Sequence, residues 1–298
     1  MDLENVRAFV KVAELRSFTR AAEHLRRSKA RVSAQVRELE AELACRLLQR
    51  STRSVRLTGD GEQLLVRARR LVGDADELSA MFQAPSALRG QVRIDMPVNY
   101  ARDLFVPRMP ELFSLHPHLE LLVSATDRRV DVLNEGFDCV VRVGELSDSG
   151  LTVRKLGHLP MVNCASPAYL LRYGTPRTLA DLDEHFIVHY SSRLGADQPS
   201  WEYPITGGYA ERPMQSRVTV NNTEAYYAAC LAGLGIIQTP RVTLEERFGG
   251  TQLVEVLPEL TCRPLPVSIV HPHGKNPPKR VAAVMSWMAQ VLETRLRH

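Results

Sequence analysis

Ser28-Lys29-Ala30-Arg31-Val32-Ser33-Ala34-Gln35-Val36-Arg37-Glu38-Leu39 is the stretch on which the fold of this chain turns. Val32, Val36, Leu39 and Leu43 recur at spacings of four, three and four residues, which lays them along one face of a helix. Ser28 stands where a hydroxyl can accept from the free N–H groups of that helix. The opposite arc of the wheel holds Ala30, Arg31, Ser33, Ala34 and Arg37, with Lys29 flanking. Short and hydroxyl side chains let a helix sink into the major groove of DNA, while basic ones reach phosphates and base edges.

The surroundings agree with a recognition helix. Upstream, Leu3, Val6, Phe9, Val10 and Ala13 mark a first helix. Ser17-Phe18-Thr19 supplies caps for a short second one carrying Ala21, Ala22 and Leu25, and Arg26-Arg27 makes the turn. Downstream, Arg50-Ser51-Thr52-Arg53-Ser54-Val55-Arg56-Leu57 predicts a basic hairpin, a wing that can track the backbone or lay Arg53 in a minor groove. Residues 1–72 hold 16 Lys and Arg against 9 Asp and Glu, whereas residues 73–298 hold 22 against 25. A basic first quarter on a slightly acidic body points to a polyanion met by one end.

Residues 1–72 resemble the N-terminal domain of the LysR-type transcriptional regulators. The carriers are Phe9-Val10, Ser17-Phe18-Thr19, Ala21-Ala22, Leu25, Ser28, Val32-Ser33, Leu39-Glu40, Leu43, Leu47, Arg50 and Val55-Arg56-Leu57-Thr58, in the family's order and spacing. The chain departs where the family usually has Ser-Gln-Pro-Ala, reading Ser28-Lys29-Ala30-Arg31, and where Ala34 replaces the usual Arg. Ala44-Cys45 replaces Gly-Val, and Leu48 replaces Phe. The family's base-reading Gln and its Pro contact therefore have no counterpart. The expected DNA contacts are Ser28, Lys29, Ala30, Arg31, Ser33, Ala34, Arg37, Arg50 and Arg53.

Thr58 can cap the next helix, with Asp60 and Glu62 favoured in its first turn by the helix dipole. Leu64, Ala68, Leu71, Ala75, Leu78 and Phe82 then form a short heptad seam, expected to pair with a second copy. Two recognition helices on a two-fold axis would demand a pseudo-palindromic operator. Ala84-Pro85-Ser86-Ala87 and Gly90 end the helix as a hinge. The boundaries read 1–58 for the winged helix-turn-helix, 59–84 for the linker helix, 85–90 for the hinge and 91–298 for the remainder.

From Val92 onward strands alternate with helices, which implies an α/β sheet binding ligands at the carboxyl ends of its strands. Expected strands are Val92–Met96, Leu119–Val123, Cys139–Val143, Met161–Cys164, Phe186–His189, Ile236–Gln238 and Val267–Val270. Expected helices lie around Leu104–Leu115, at Val130–Asn134, near Leu179–Leu182, at Glu224–Ala232 and along Val281, Val284, Met288 and Val291. The region is similar to the family's effector-binding domain, itself like periplasmic solute-binding proteins. That similarity rests on Gly90-Gln91-Val92-Arg93-Ile94, on Asp131-Val132-Leu133-Asn134-Glu135-Gly136-Phe137-Asp138 and on Ala165-Ser166-Pro167-Ala168-Tyr169. Pro107…Leu112-Phe113…Pro117 and Gly233-Leu234-Gly235-Ile236 complete it. It implies subdomain I at 91–161 and 267–298, subdomain II at 162–266, and an effector in the cleft between them. The fold class is thus an α-helical winged helix-turn-helix plus a two-subdomain, periplasmic-binding-protein-like α/β domain.

Pro97-Val98-Asn99-Tyr100 leaves the first strand and enters a helix, and Asn221-Asn222-Thr223 enters another. Two helix N-termini aimed at one cleft suit a small anion, most simply a carboxylate. Thr126 follows the second strand, Gln238 ends a later one, and Arg142 can hold a carboxylate bidentately. The candidate effector residues are Val98, Asn99, Tyr100, Thr126, Arg142, Asn222, Thr223 and Gln238. Plain structural roles stay open for them: Asn222 as a helix cap, Arg142 as the partner of Glu145 or Asp138.

No apolar run reaches 18 residues and the first thirty are no signal peptide, so a cytoplasmic protein is expected. The five cysteines stand singly, as small buried hydrophobes do. His116-Pro117-His118 and His271-Pro272-His273 lack a third ligand nearby, and Gly233-Leu234-Gly235 precedes a strand instead of a helix. No catalytic residue, metal or cofactor is expected. The reading is a homodimeric or homotetrameric regulator of double-stranded DNA controlled by a small molecule. An enzyme in the α/β cleft and a nonspecific architectural DNA binder are the alternatives.

Overall fold

The computed structural model describes residues 1–50, 55–80, 88–146, 150–248 and 252–296. Helix α1 (Leu3–Leu15) starts at Asp2, whose carboxylate accepts from the Glu4 N–H, and stops at Arg16 in the left-handed region. Ser17 caps α2 (Phe18–His24) and Ser28 caps α3 (Lys29–Glu42), accepting from Arg20 N and Arg31 N. Between them Arg26 takes φ 52° and turns the chain. Val32, Val36 and Leu39 are wholly buried together with Phe9 and Val12. Leu43, expected in this stripe, is instead 38% exposed. The helix ends before it, Ala44 turns back with φ 50°, and Leu47 and Leu48 fill the core in its place.

The wing strands β1 (Leu48–Arg50) and β2 (Val55–Leu57) pair antiparallel. The Glu40 carboxylate anchors them to α3 by accepting from Leu47 N at 2.9 Å and Leu48 N at 3.1 Å. Thr58 caps α4 (Gly59–Ala80), accepting from Gly61 N at 3.0 Å. A Cβ at position 61 would stand 2.1 Å from the Leu47 carbonyl oxygen, so only glycine lets this first turn lie against the wing. The first half of the expected seam is used inside the chain: Leu64 and Ala68, with Leu65 and Val72, pack on the α1 core. Leu71 and Leu78 are 41% and 65% exposed. Phe82 and residues 84–87 lie outside the described residues.

Strand β3 (Arg89–Met96) opens the second half. It leads into α5 (Val98–Tyr100), which runs through a π turn over Ala101–Phe105 into α6 (Val106–Leu115). Strands β4 (His118–Ala125), β5 (Cys139–Val143) and β6 (Thr152–Leu159) follow. The chain then crosses at Pro160 into β7 (Met161–Ala165), α7 (Pro167–Tyr173) and β8 (Phe186–Tyr190). A hairpin of β9 (Ser200–Ile205) and β10 (Gly208–Pro213) precedes β11 (Gln215–Val220) and α8 (Thr223–Leu231). Next come β12 (Ile237–Pro240), α9 (Arg241–Phe248) and β13 (Val254–Glu255). The chain returns as β14 (Leu265–His271) and ends in α10 (Lys279–Leu296).

Two sheet systems result. One has the order β4-β3-β5-β14-β6, with β3 parallel to β4 and β5, and β14 antiparallel to its neighbours. Helix α10 buries Val281, Val284, Met288 and Val291 against it. The other combines β12-β7-β13 with the parallel pair β11-β8, joined by a bridge from Ile187 to Ile236. At that bridge a Cβ on Gly235 would meet Ile187 C at 2.6 Å and Val188 N at 2.7 Å.

Two expected helices are single turns. Residues 130–134 form no helix: Asp131 O accepts from Glu135 N, and Gly136 at φ 69° closes the turn. Near residue 180 a 3-10 turn spans Asp181–Glu184, held by the Asp181 carboxylate accepting from Arg177 N and Thr178 N. Local side-chain acceptors there satisfy the backbone that a longer helix would have paired.

Replacing Gly235 with Ala should destabilise the effector half by about 1–3 kcal/mol through backbone overpacking, read as a lowered urea midpoint. A second prediction concerns His273, stacked beside His271 at the end of β14. Burial, then Arg70 and His271, lower its pKa to about 4, although Asp138 stands 3.7 Å from Nε2. The unfolded chain binds this proton near pH 6.5. The stability tied to neutral His273 is therefore present above that pH and lost as pH falls toward 4. Burial raises the Asp138 pKa, which acts in the opposite sense. His273→Gln should lose less stability than the parent between pH 6.5 and 4, measured by thermal melting.

Candidate nucleic-acid interface and effector cleft

The basic residues of the first quarter divide into two groups. Arg7 bonds Asp76, Lys11 bonds Glu14, Arg69 bonds Glu14, and Arg27 bonds both Glu4 and Gln35. These cations are committed to the fold. Lys29 and Arg31, on the outer face of α3, are exposed and have no side-chain hydrogen bond or ion pair among the described residues. Arg37 is also exposed, its Nε donating to Ser33 O at 3.3 Å. Ser28 and Ala30 are exposed beside them, and Ser33 and Ala34 are half-buried. The outer face of α3 thus carries positive charge without internal compensation over a floor of small residues. Arg53 lies outside the described residues, as does the side chain of Arg50.

The second site lies between the two sheet systems, where the candidate effector residues divide. Val98 N, at the start of α5, donates to Asp127 Oδ1 at 3.0 Å. Thr223, at the start of α8, donates to Asp127 Oδ2 from its N–H at 2.5 Å and its hydroxyl at 2.8 Å. The two helix N-termini do converge on a carboxylate, and the carboxylate belongs to the chain itself. Arg142 Nη1 donates to Asp95 Oδ2 at 2.9 Å, and Thr126 Oγ1 donates to Asp95 Oδ1 at 3.1 Å. Asp95 is wholly buried, so the partner of Arg142 is neither Glu145 nor Asp138. Arg142 Nη2 is buried without a hydrogen bond among the described residues.

The remaining candidates are held in the fold. Asn222 caps α8, accepting from Ala225 N at 2.9 Å. Asn99 is buried, and its Oδ1 accepts from Tyr100 N at 2.9 Å. The Tyr100 ring sits in the core of the first sheet with the Arg295 guanidinium 5.4 Å from its centroid, and burial raises its pKa. Gln238 donates to Asn163 Oδ1 and Glu202 O, each at 2.9 Å, which places its side chain in the second unit's own network.

Asp127 had no signal in the sequence. It sits in the Thr126-Asp127-Arg128-Arg129 run, of which only Thr126 was a candidate, and it meets Thr223 across 96 residues of chain. A second tie crosses the same boundary, where Arg102 Nη1 donates to Glu224 Oε2 at 2.9 Å. Among the described residues no group of three or more His, Cys, Asp or Glu side chains could hold a metal. The cysteines are free thiols, four of them buried. No helix among the described residues is long and apolar enough to cross a membrane.

Residues 3–62 match the bacterial regulatory helix-turn-helix protein, lysR family, and residues 85–293 match the LysR substrate binding domain. The chain is 43% identical to the HTH-type transcriptional regulator YhjC of Escherichia coli (strain K12), covering 96% of each chain. It is 34% identical to an HTH-type transcriptional regulator of Haemophilus influenzae, over 95% of this chain and 98% of the relative. Among solved structures, CrgA, a LysR-type transcriptional regulator from Neisseria meningitidis, superposes with a TM-score of 0.60 at 26% identity, covering 98% and 99% of the two chains. With both halves matched in order, the chain belongs to the LysR-type transcriptional regulators: it is a DNA-binding regulator with an effector-binding domain, and not an enzyme.

Proposed function

We propose that this protein acts in the cytoplasm as a homodimer or homotetramer, binding a pseudo-palindromic operator through α3 and the wing. The uncompensated charge of Lys29 and Arg31 on the exposed face of α3 carries this reading. A cluster of uncompensated cations on one exposed face attracts a polyanion. Ser28, Ala30, Ser33 and Ala34 give the backbone close approach, and Arg37, Arg50 and Arg53 extend the basic surface. The units are 1–58 for DNA binding, 59–84 for the linker helix, 85–90 for the hinge and 91–298 for the effector domain. Within the last, 91–161 with 267–298 and 162–266 form the two subdomains.

The exposed Leu71 and Leu78 support pairing through the second half of α4. The effector is a small anion, most simply a carboxylate, bound between Val98 and Thr223. That position already accepts a carboxylate, that of Asp127, on three donors. Effector binding would shift the balance between two arrangements of the oligomer and so alter the spacing or bend of the bound DNA.

Genomic fragments retained by the purified protein should form a few sharp peaks containing an interrupted dyad. A flat profile abolished by salt would instead mean nonspecific binding. On the best fragment, Arg31→Ala and Lys29→Ala should each weaken binding, by about 1–3 kcal/mol where a base edge is lost. Each should reduce the salt slope by roughly 0.9 where a phosphate contact is lost. Leu71→Glu together with Leu78→Glu should shift sedimentation toward the monomer while the circular dichroism spectrum stays that of the parent.

A further inference from the structure

Asp127 lies on the loop after β4, in the first sheet unit, and Thr223 opens the nine-residue α8 in the second. One carboxylate spans them, Oδ1 on Val98 N and Oδ2 on the Thr223 N–H and hydroxyl. Apart from Arg142 Nη2, the donors that recommended an anionic effector at Val98, Thr126, Arg142 and Thr223 are therefore met by the chain's own acids. Asp95 holds Arg142 and Thr126, and Asp127 holds the two helix starts.

The two acids differ in what they can do. Asp95 is a wholly buried strand residue, and withdrawing it would strand a charge inside the sheet. Asp127 is half-buried in a bend outside the sheet pairing, so it can swing out to water without disturbing a strand. Arg102 of the first unit bonds Glu224 of the second, and Arg295 of the first bonds Glu246 of the second; unlike these ion pairs, Asp127 presents its carboxylate to backbone donors.

We infer that Asp127 is the protein's own ligand in the cleft, a tethered carboxylate that holds the two subdomains together while no effector is bound. On the reading of the cleft as an anion site, an effector has to displace it. This selects anions compact enough to take over the Val98 and Thr223 donors and restore the bridge themselves. A cation finds no acceptor role there, and a neutral acceptor makes weaker bonds than the carboxylate it would have to displace, so both leave the bridge in place. Asp127 is in this sense a specificity-determining residue for the effector.

Chemical rescue tests the inference on the full chain. In Asp127→Gly, amide hydrogen exchange at Val98 and over the first turn of α8 should be at least about tenfold faster than in the parent, since a charge-assisted bridge is gone. Millimolar formate or acetate should restore slow exchange in a saturable way, while chloride at matched ionic strength should not. The parent, whose position is filled, should not respond to either at those concentrations. Should the glycine variant fold poorly, Asp127→Asn serves instead: it keeps one acceptor, should loosen the same amides partially, and should show no rescue because its amide blocks the position. Exchange in both variants equal to the parent, or acceleration in Asp127→Gly indifferent to formate and acetate, would overturn the inference. Failure of the anionic-effector reading alone looks different: Asp127→Gly responds to carboxylates, while in the parent no larger carboxylate ever changes exchange at Thr223.

Discussion

Everything the protein does at DNA depends on the burial of Val32, Val36 and Leu39 against α1. A helix has only one way to hide such a stripe, and hiding it turns Lys29, Arg31 and Arg37 to solvent. The same burial sets the wing. Glu40, near the end of the helix, binds the amides of Leu47 and Leu48 and so fixes where the hairpin starts. The Leu47 carbonyl in turn leaves room only for glycine at position 61 of the linker helix. From there α4 runs back to the effector half, where Arg280 of α10 donates to Gly73 O at 3.1 Å and to Gln91 O at 3.2 Å. A continuous set of contacts therefore joins the DNA-facing helix to the first sheet unit. What would turn such a set into signalling is an element with two arrangements.

The effector half is organised by a different constraint, the double passage of the chain between two sheets. The first passage runs through Pro160 and the second precedes β14, so the second unit is an insertion that splits the first into two pieces of sequence. Such a construction brings α5 and α8, more than a hundred residues apart, to face each other. Among the described residues the side-chain ties between the halves include the Asp127 bridge, the Arg102–Glu224 pair and the Arg295–Glu246 pair. The exposed Arg102–Glu224 pair is screened and weak, whereas a carboxylate accepting from two backbone N–H groups and a hydroxyl is held by three directed bonds.

Much of the fold was legible because it is written in local periodicity. The helix stripes, the serine caps at Ser17 and Ser28 and the apolar strands of the first sheet all depend on residues within a few positions of one another. The misreadings have a common origin. Leu43 fits the period of α3 but follows the residue at which the helix stops, because Ala44 adopts φ 50°. The first half of the α4 seam has coiled-coil spacing but is covered by α1, a neighbour that spacing cannot reveal. Residues 130–134 have helical composition but give the amides of Asp131 and Asn134 to nearby carboxylates, and at 181–184 the Asp181 carboxylate takes the amides of Arg177 and Thr178 just upstream. The hairpin of β9 and β10, with Trp201 wholly buried, was not expected, although Gly207, at φ 85°, and Gly208 mark its two-residue turn.

Sequence alone determined the order of units, the exposed basic face of α3, the basic end of the molecule and the family, because each is carried by spacing and composition along one segment. Tertiary structure alone decided how charge is distributed among partners. Which arginines are committed to Glu4, Glu14 and Asp76 and which are left exposed depends on helices meeting in space. Likewise Arg142 and Thr126 found Asp95, and the starts of α5 and α8 found Asp127. A carboxylate's partner is set by distance through space, and the distances that matter here are closed by chain crossings that no local pattern records.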